Sequence, residues 1–301
     1  MRSEAKLAVQ TARMQSTGRW QPDPRSKRAQ PEIPLSAPVC QNAVPWPTLI
    51  DVGLSPLAIL AILAAGLVAG MANAIVGSGS LLTFPTLLAL GFSPIVANVS
   101  NTVGLVFGSI SAVTGQRPEL AGQRRRTAML AIPAAAGGLL GAVLLLALPQ
   151  SVFHQVVPVL VLLAVVLVIV QPRLSTYLAW HGASDGNSWG LRAGVFLTAI
   201  YGGYFGAAQG VMFIGLLGVF IKDEVQRLNA LKNVLAVLVN GIAAIVFVLL
   251  AHVAWVAVAL IAVSSIAGGQ LGAVVARRLP PNALRAVIVI AGLAAVVKLM
   301  M

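Results

Sequence analysis

Val76-Gly77-Ser78-Gly79-Ser80-Leu81-Leu82-Thr83-Phe84-Pro85 stands between an apolar run over 57–76 and a much shorter one over 80–91. Twelve helical residues rise about 18 Å, little more than half of a hydrocarbon core of about 30 Å. The chain is therefore expected to enter the membrane on a long helix, break at a patch of small residues, and continue in a half-length helix. Gly206-Ala207-Ala208-Gln209-Gly210 repeats that pattern between the apolar runs 192–207 and 209–220. An offset of 131 residues places Gly79 on Gly210, Asn98 on Asn229 and Asn101 on Lys232. The layout recurs as well. After each break come a half-length helix, a connector (Gly91-Phe92-Ser93-Pro94 or Lys222–Arg227) and a polar-headed helix over 94–114 or 229–250. Two further spans follow, 127–148 and 152–170 in the first half, 254–275 and 283–299 in the second. Eight of these ten runs are near spanning length. The reading is an all-α polytopic membrane protein of two tandem repeats, each a broken or re-entrant helix pair followed by three spans.

Composition agrees. Of 301 residues, 58% are hydrophobic and 9% charged, with a mean hydropathy of +0.91. A soluble domain carries about 25% charged residues, so a water-facing globule of this size is excluded. The apolar runs are continuous rather than alternating, which argues against an outer-membrane barrel. The net charge of +12 is no sign of nucleic-acid binding. Seven of the twenty Lys and Arg lie in the first 28 residues and most others in short gaps between apolar runs, where membrane orientation demands them. Cys40 is the only cysteine, so neither an intrachain disulfide nor a cysteine metal cluster is expected. Residues 1–48 are basic and proline-containing, without the early apolar stretch of a simple signal peptide, and are expected to form a disordered tail or an over-extended start, with Met14 as another candidate. The expected divisions are the tail 1–48, a first membrane repeat 49–170, a connecting loop 171–191 and a second membrane repeat 192–301.

Charge arbitrates the relative orientation of the repeats. If each long-plus-short pair crosses once, the repeats are parallel, and the basic residues beyond the tail divide seven inside to six outside. If each pair is a re-entrant hairpin, the repeats are inverted. Arg117, Arg124, Arg125, Arg126, Arg173, Arg192, Lys222, Arg227, Lys232, Arg277, Arg278 and Arg285 then share one face, with Lys298 opposite. The second arrangement fits the rule that Lys and Arg near spans stay cytoplasmic. The basic tail would then lie outside, although Arg28 is too far from the first span for the rule to reach it. Trp46, Trp180 and Trp255 lie near span ends, as interfacial aromatics do, and Pro133 and Pro158 fall inside spans.

The chemistry is expected at the breaks. A helix broken within a bilayer exposes N–H and C=O groups that lipid cannot satisfy, so it survives only buried in protein or lining a wet cavity. Two such breaks at matching places point to the central site of a transporter. Gly77 and Gly79 permit a sharp turn, and the half-helix from Ser80 would direct N–H groups and a positive dipole end toward an anion. Asn98, Ser100, Asn101 and Thr102 open one polar-headed helix, and Asn229, Lys232 and Asn233 open the other. Asn98, Asn101 and Thr102 share a face, and Asn229, Lys232 and Asn233 repeat the spacing. Amides and hydroxyls there can replace the hydration of an oxyanion, and Lys232 can add a compensating charge. Capping and interhelical hydrogen bonding compete for the asparagines, snorkelling for the lysine, and close helix packing for the glycines. With Gln209 and Gly210 from the second break, these residues and Gly77, Ser78, Gly79 and Ser80 make the candidate binding site.

Absences matter too. Asp51, Glu119, Asp185, Asp223 and Glu224 lie in loops or at span edges, which disfavours a carboxylate relay or a cation site and turns the expectation toward anions. His154, His181 and His252 are also peripheral, so Ser78 has no histidine in a span centre to activate it, and catalysis is not expected. No P-loop is present, and neither a cofactor nor a metal is implied.

Over about 57–299 the chain resembles the TauE/SafE family, the sulfite-exporter-like membrane permeases. The resemblance rests on Gly66-Leu67-Val68-Ala69-Gly70, Gly77 through Pro85, Gly91-Phe92-Ser93-Pro94 leading into Ala97–Thr102, the basic run Arg124–Arg126, and Ala276-Arg277-Arg278-Leu279-Pro280. Ser78 and Ser80 stand where the family commonly has glycines, and Ser100-Asn101 where it commonly has Thr-Ser. The resemblance implies a multi-pass permease of the cytoplasmic membrane that exports sulfite or small organosulfur or organic anions, with Gly77–Ser80, Pro85, Ser100 and Asn101 as candidate site positions. Gln209, Gly210, Asn229, Lys232 and Asn233 come from the repeat argument instead. The expected partners are a small anionic substrate and the lipid bilayer, with a homo-oligomer left open. A passive anion channel and a membrane scaffold without transport are the alternative readings.

Overall fold

The computed structural model describes residues 54–181, 189–275 and 282–300, with side chains over 54–171, 189–274 and 286–296. The tail with Cys40, Trp46 and Asp51 lies outside the described residues, as do Asp185, Arg277 and Arg278. So do the side chains of Arg173, Trp180, His181, Arg285 and Lys298.

Ten α-helices carry the described chain: α1 Pro56–Ile75, α2 Ser80–Ala89, α3 Pro94–Gly115, α4 Arg124–Ala147, α5 Gln150–His181, α6 Trp189–Tyr204, α7 Gln209–Phe220, α8 Val225–Leu250, α9 Trp255–Val275 and α10 Asn282–Met300. A short 3₁₀ turn, Pro118–Leu120, joins α3 to α4. Proline at the first turn starts α1 and α3, where its missing N–H costs nothing, and Ser55 Oγ accepts the Ala58 N–H ahead of α1. The expected half-length helices are α2 and α7, and both breaks fall where the small residues are. Among the described residues, six helices (α1, α3, α4, α5, α8 and α9) are long and apolar enough to cross a membrane. The run over 192–207 differs from expectation. Its helix α6 has 16 described residues, about 24 Å and short of a full crossing, and ends at Tyr204, two residues before Gly206 at φ +74°.

Glycine governs how the helices meet. Gly66 and Gly104 both pack on Ile261, Gly70 and Gly108 both pack on Ser265, and Gly272 lies against Met71. The register rises together along all three chains, so α1, α3 and α9 run side by side in one direction. Gly137 packs beside Ala199, Gly141 beside Tyr204 and Gly138 beside Val239, which sets α4 parallel to α6 and against α8. Ser100 Oγ accepts the Ala254 N–H, while Asn233 Nδ2 donates to Gln116 Oε1 at the other end, so α3 and α8 are antiparallel. The fourth helix of each five-helix set thus packs on the first and third helices of the other set, and the two sets run in opposite directions through the layer.

The packing also exposes a sequence signal that the spacing argument overlooked. Ala136-Gly137-Gly138-Leu139-Leu140-Gly141-Ala142-Val143 and Ala267-Gly268-Gly269-Gln270-Leu271-Gly272-Ala273-Val274 match at seven of eight positions at the same offset of 131. In both copies the three glycines face the other set's first and third helices. Small residues let helix backbones approach where lipid supplies no hydrophobic drive to associate.

Ion pairs place the loops. Arg126 meets Asp223 at 2.8 Å and Arg227 meets it at 2.9 Å, while Arg227 Nη2 donates to Ala121 O. The α3–α4 loop and the α7–α8 connector are therefore on one face. Parallel sets would have put them on opposite faces, so that arrangement is excluded. Along the outer surface Leu57, Ile132, Leu197, Leu249 and Ile290 stay exposed, as lipid-facing side chains do.

Candidate functional site

The two breaks meet. The Gly210 N–H donates to Gly77 O at 3.0 Å, and a Cβ on either glycine would stand 2.5 Å from the other's Cα. Gly77, at φ +84°, adopts a left-handed conformation that favours glycine. Beside this crossing is a polar cleft with an empty volume of about 350 Å³, its open mouth included. Asn73, Gly77 and Ser80 line it from the first break, Ser109 and Ala112 from α3, Gly206, Gln209 and Gly210 from the second break, and Lys232, Asn233, Ala236 and Asn240 from α8. Its interior has room for about one water molecule.

Lys232 is wholly buried. Its Nζ lies 3.3 Å from Asn73 O, a carbonyl in the last turn of α1, where the negative end of the helix dipole favours a cation. One hydrogen bond occupies one of three donors. No carboxylate pairs with it among the described residues. An ammonium taken out of water without a counter-ion costs several kcal/mol, on the order of one ion's share of a buried pair.

Around it the end of α1 is sealed by side chains. Asn229 Nδ2 and Asn233 Nδ2 donate to Ala74 O at 3.0 and 3.3 Å, Gln116 Nε2 donates to the same oxygen, and Gln171 Nε2 to Val76 O. On the other set Asn98 Nδ2 donates to Tyr204 O, in the last residue of α6. The paired asparagines Asn98 and Asn229 thus each cap the broken helix of the opposite set, as a C-terminal carbonyl lacking an intrahelical donor requires.

Of the thirteen sequence candidates, Gly77, Ser80, Gln209, Gly210, Lys232 and Asn233 line the cleft. Gly79 borders it, its N–H donating to Asn73 Oδ1 at 2.9 Å. Asn229 does not line it and instead donates to Ala74 O. Ser100 holds the turn before α9, Thr102 Oγ1 bonds back to Asn98 O, and Asn101 Oδ1 accepts from Thr83 Oγ1 on α2. Ser78 is buried with no partner for its Oγ among the described residues. The polar head of α3 therefore serves the scaffold, while that of α8 serves the cleft.

The half-helix N–H groups are mostly engaged too. Leu81 and Leu82 bond to Ser78 O and Gly79 O, Gln209 to Gly206 O, and Gly210 to Gly77 O. The positive charge of the cleft comes from Lys232 rather than from a fan of main-chain donors. Asn73, Ser109 and Asn240 were missed. Ser109 and Asn240 are a matched pair at the offset of 131, so the repeat could have found them, and Asn73 is a lone amide one turn before Gly77 in an otherwise apolar helix.

A family model described as sulfite exporter TauE/SafE matches residues 62–299. The chain belongs to that family. Its TauE/SafE core thus runs from α1 to the end of α10 and contains both breaks, the glycine octapeptides and the cleft. Neither a curated protein nor a solved structure matches the chain. As a TauE/SafE member it is a multi-pass membrane protein of a transporter family, which agrees with the six spanning helices.

Proposed function

We propose that the chain is a secondary transporter of small oxyanions, foremost the export of sulfite or an organosulfur anion, and that the cleft at the crossed breaks is its substrate site. The observation that carries this reading is Lys232, a buried cation with no carboxylate partner among the described residues, set where two interrupted helices touch. An arriving anion would supply the missing counter-charge. The family's description as a sulfite exporter supports export as the direction, and the face bearing Arg117, Arg124–Arg126, Lys222 and Arg227 is read as cytoplasmic. The matched octapeptides and exchanged fourth helices support descent from a duplicated five-helix unit. Rocking of one bundle against the other, each a set's first and third helices with the other set's fourth, would then alternate access.

A narrow interior favours a carrier over a passive channel, because a channel needs a continuous wet path when open. Reconstituted protein should accumulate sulfite, a sulfonate or a small carboxylate against its gradient when a pH gradient is imposed. If no anion of such a panel moves, the transporter reading is wrong. Flux that never exceeds equilibration makes it a channel, no flux in wild type and Lys232→Ala alike favours a scaffold, and unchanged flux in Lys232→Ala removes the cleft as the substrate site.

A further inference from the structure

We propose that Gln209 makes the cleft selective for the singly charged, proton-bearing form of an oxyanion, such as hydrogensulfite, over the corresponding dianion. This rests on the substrate site proposed above and goes on to specify the ionic form it takes.

The carboxamide of Gln209 is 2% exposed, lies in the cleft wall, and has no partner for either Nε2 or Oε1 among the described residues. It is held over two glycines. Any Cβ on Gly202 would collide with Oε1, and Gly206 offers its open face to Gln209 Oε1 and Asn240 Oδ1 together. Asn73 and Asn233 in the same cleft differ in this respect. Asn73 accepts from the Gly79 N–H and donates to Ser109, and Asn233 donates to Ala74 O and Gln116 Oε1. A buried amide left with an open donor and an open acceptor invites a ligand that supplies both.

The charge inventory is equally restrictive. No ionisable side chain occurs in α1, α2, α3 or α7. On α6, Arg192 lies in the first turn, Tyr201 donates its hydroxyl to Ala207 O, and Tyr204 packs on Phe153. On α8, Arg227 is tied to Asp223. Lys232 is thus the one charge in the wall of the cleft among the described residues. A dianion beside it would leave a net negative charge out of water, and as an acceptor-only group it would press oxygen lone pairs against Gln209 Oε1. A monoanion bearing one O–H satisfies every group. Its charge balances Lys232, its O–H donates to Gln209 Oε1, and its other oxygens accept from Lys232 Nζ and Gln209 Nε2.

The test compares initial rates of sulfite and methanesulfonate uptake into proteoliposomes over the pH range in which sulfite takes up its proton. Methanesulfonate is a monoanion throughout and bears no O–H, so it reports any titration of Lys232, and the ratio of the two rates isolates the substrate's proton. The ratio should rise at least about tenfold toward the acid end, since a site built to bond a hydroxyl discriminates strongly against a ligand that lacks it. In Gln209→Leu the pH dependence of the ratio should weaken severalfold, leaving only the part due to the single charge of Lys232. If that variant does not fold, the wild-type profile decides. A ratio that is flat or rises toward alkaline pH overturns the proposal while leaving the transporter reading standing. If neither anion moves, both fall.

Discussion

Lys232 and Asp223 show how differently two charged side chains are used nine residues apart. Lys232 sits in a dry wall with a carbonyl for company, an arrangement that lowers stability and suits an anion. Lys232→Met keeps the length and apolar stem while removing the buried charge, so transport should fall at least about thirtyfold, equivalent to about 2 kcal/mol of lost binding. The same variant should melt several degrees higher in detergent, because replacing a buried charge with a well-packed apolar chain is often stabilising. Flux assays and thermal melts on one preparation check both halves. Asp223 lies outside the spans. Partial burial alone would push its carboxyl up, but the Arg126 hydrogen bond, the Glu224 N–H and the charges of Arg227 and Arg126 outweigh that and hold it below its ordinary value. A carboxyl so lowered contributes stability that is complete above the unfolded-state value of about 3.9 and is lost as pH falls through the lower folded value. Asp223→Asn should therefore cost roughly 1 kcal/mol at neutral pH, and the gap between variant and wild type should close on acidification. A constant gap down to acid pH would contradict that account.

The breaks are the elements on which function depends, and the two are built unequally. Gly77 in the first corresponds, at the offset of 131, to Ala208 in the second, and both have positive φ. For alanine a left-handed conformation costs about 1–2 kcal/mol, so Ala208→Gly should raise the melting temperature modestly, its gain trimmed by the greater freedom of glycine in the unfolded chain. Gly77→Ala should do the reverse and more, because its Cβ would stand 2.5 Å from Gly210 Cα besides being strained. Loss of monodisperse protein in size-exclusion chromatography for Gly77→Ala, with a higher melt for Ala208→Gly, is the expected pair of results. The length and glycine content of these elements were legible as sequence, and the half-length helices fall where the apolar runs shorten. Their hydrogen bonds were not. Whether a broken helix leaves its N–H groups free depends on what approaches it, and here Asn73 and the opposite break take them up.

At the scale of the molecule, two five-helix sets running in opposite directions exchange their fourth helices and so cannot separate as independent halves. The Arg126–Asp223–Arg227 node fastens the α3–α4 loop to the α7–α8 connector on the basic face. In a Cys40→Ser background, cysteines introduced at Arg125 and Lys222 should react with an impermeant thiol reagent from the same side of sealed vesicles. One at Ser93, at the start of α3, should react only from the other. Opposite accessibility of positions 125 and 222 would refute the antiparallel arrangement. The asparagines illustrate what global packing adds. Asn98 and Asn229 match in sequence, and both turned out to cap the opposite set's broken helix, whereas matched Asn101 and Lys232 diverge, one bonded to Thr83 and the other facing the cleft.

By itself, the sequence determined that this chain spans a membrane as helices, where the two half-length helices fall, where the chain breaks, and that most basic residues beyond the tail favour one face. Those properties depend on hydrophobic length, glycine and proline placement, and local charge, all of which act along a single segment. Only the tertiary structure decided that the breaks touch, that Lys232 is left without a carboxylate beside it among the described residues, and that Asn73, Ser109, Gln209 and Asn240 share its cleft. Such facts arise where residues far apart in the chain compete for the same few buried donors and acceptors, and the winner of that competition is set by which helices pack together.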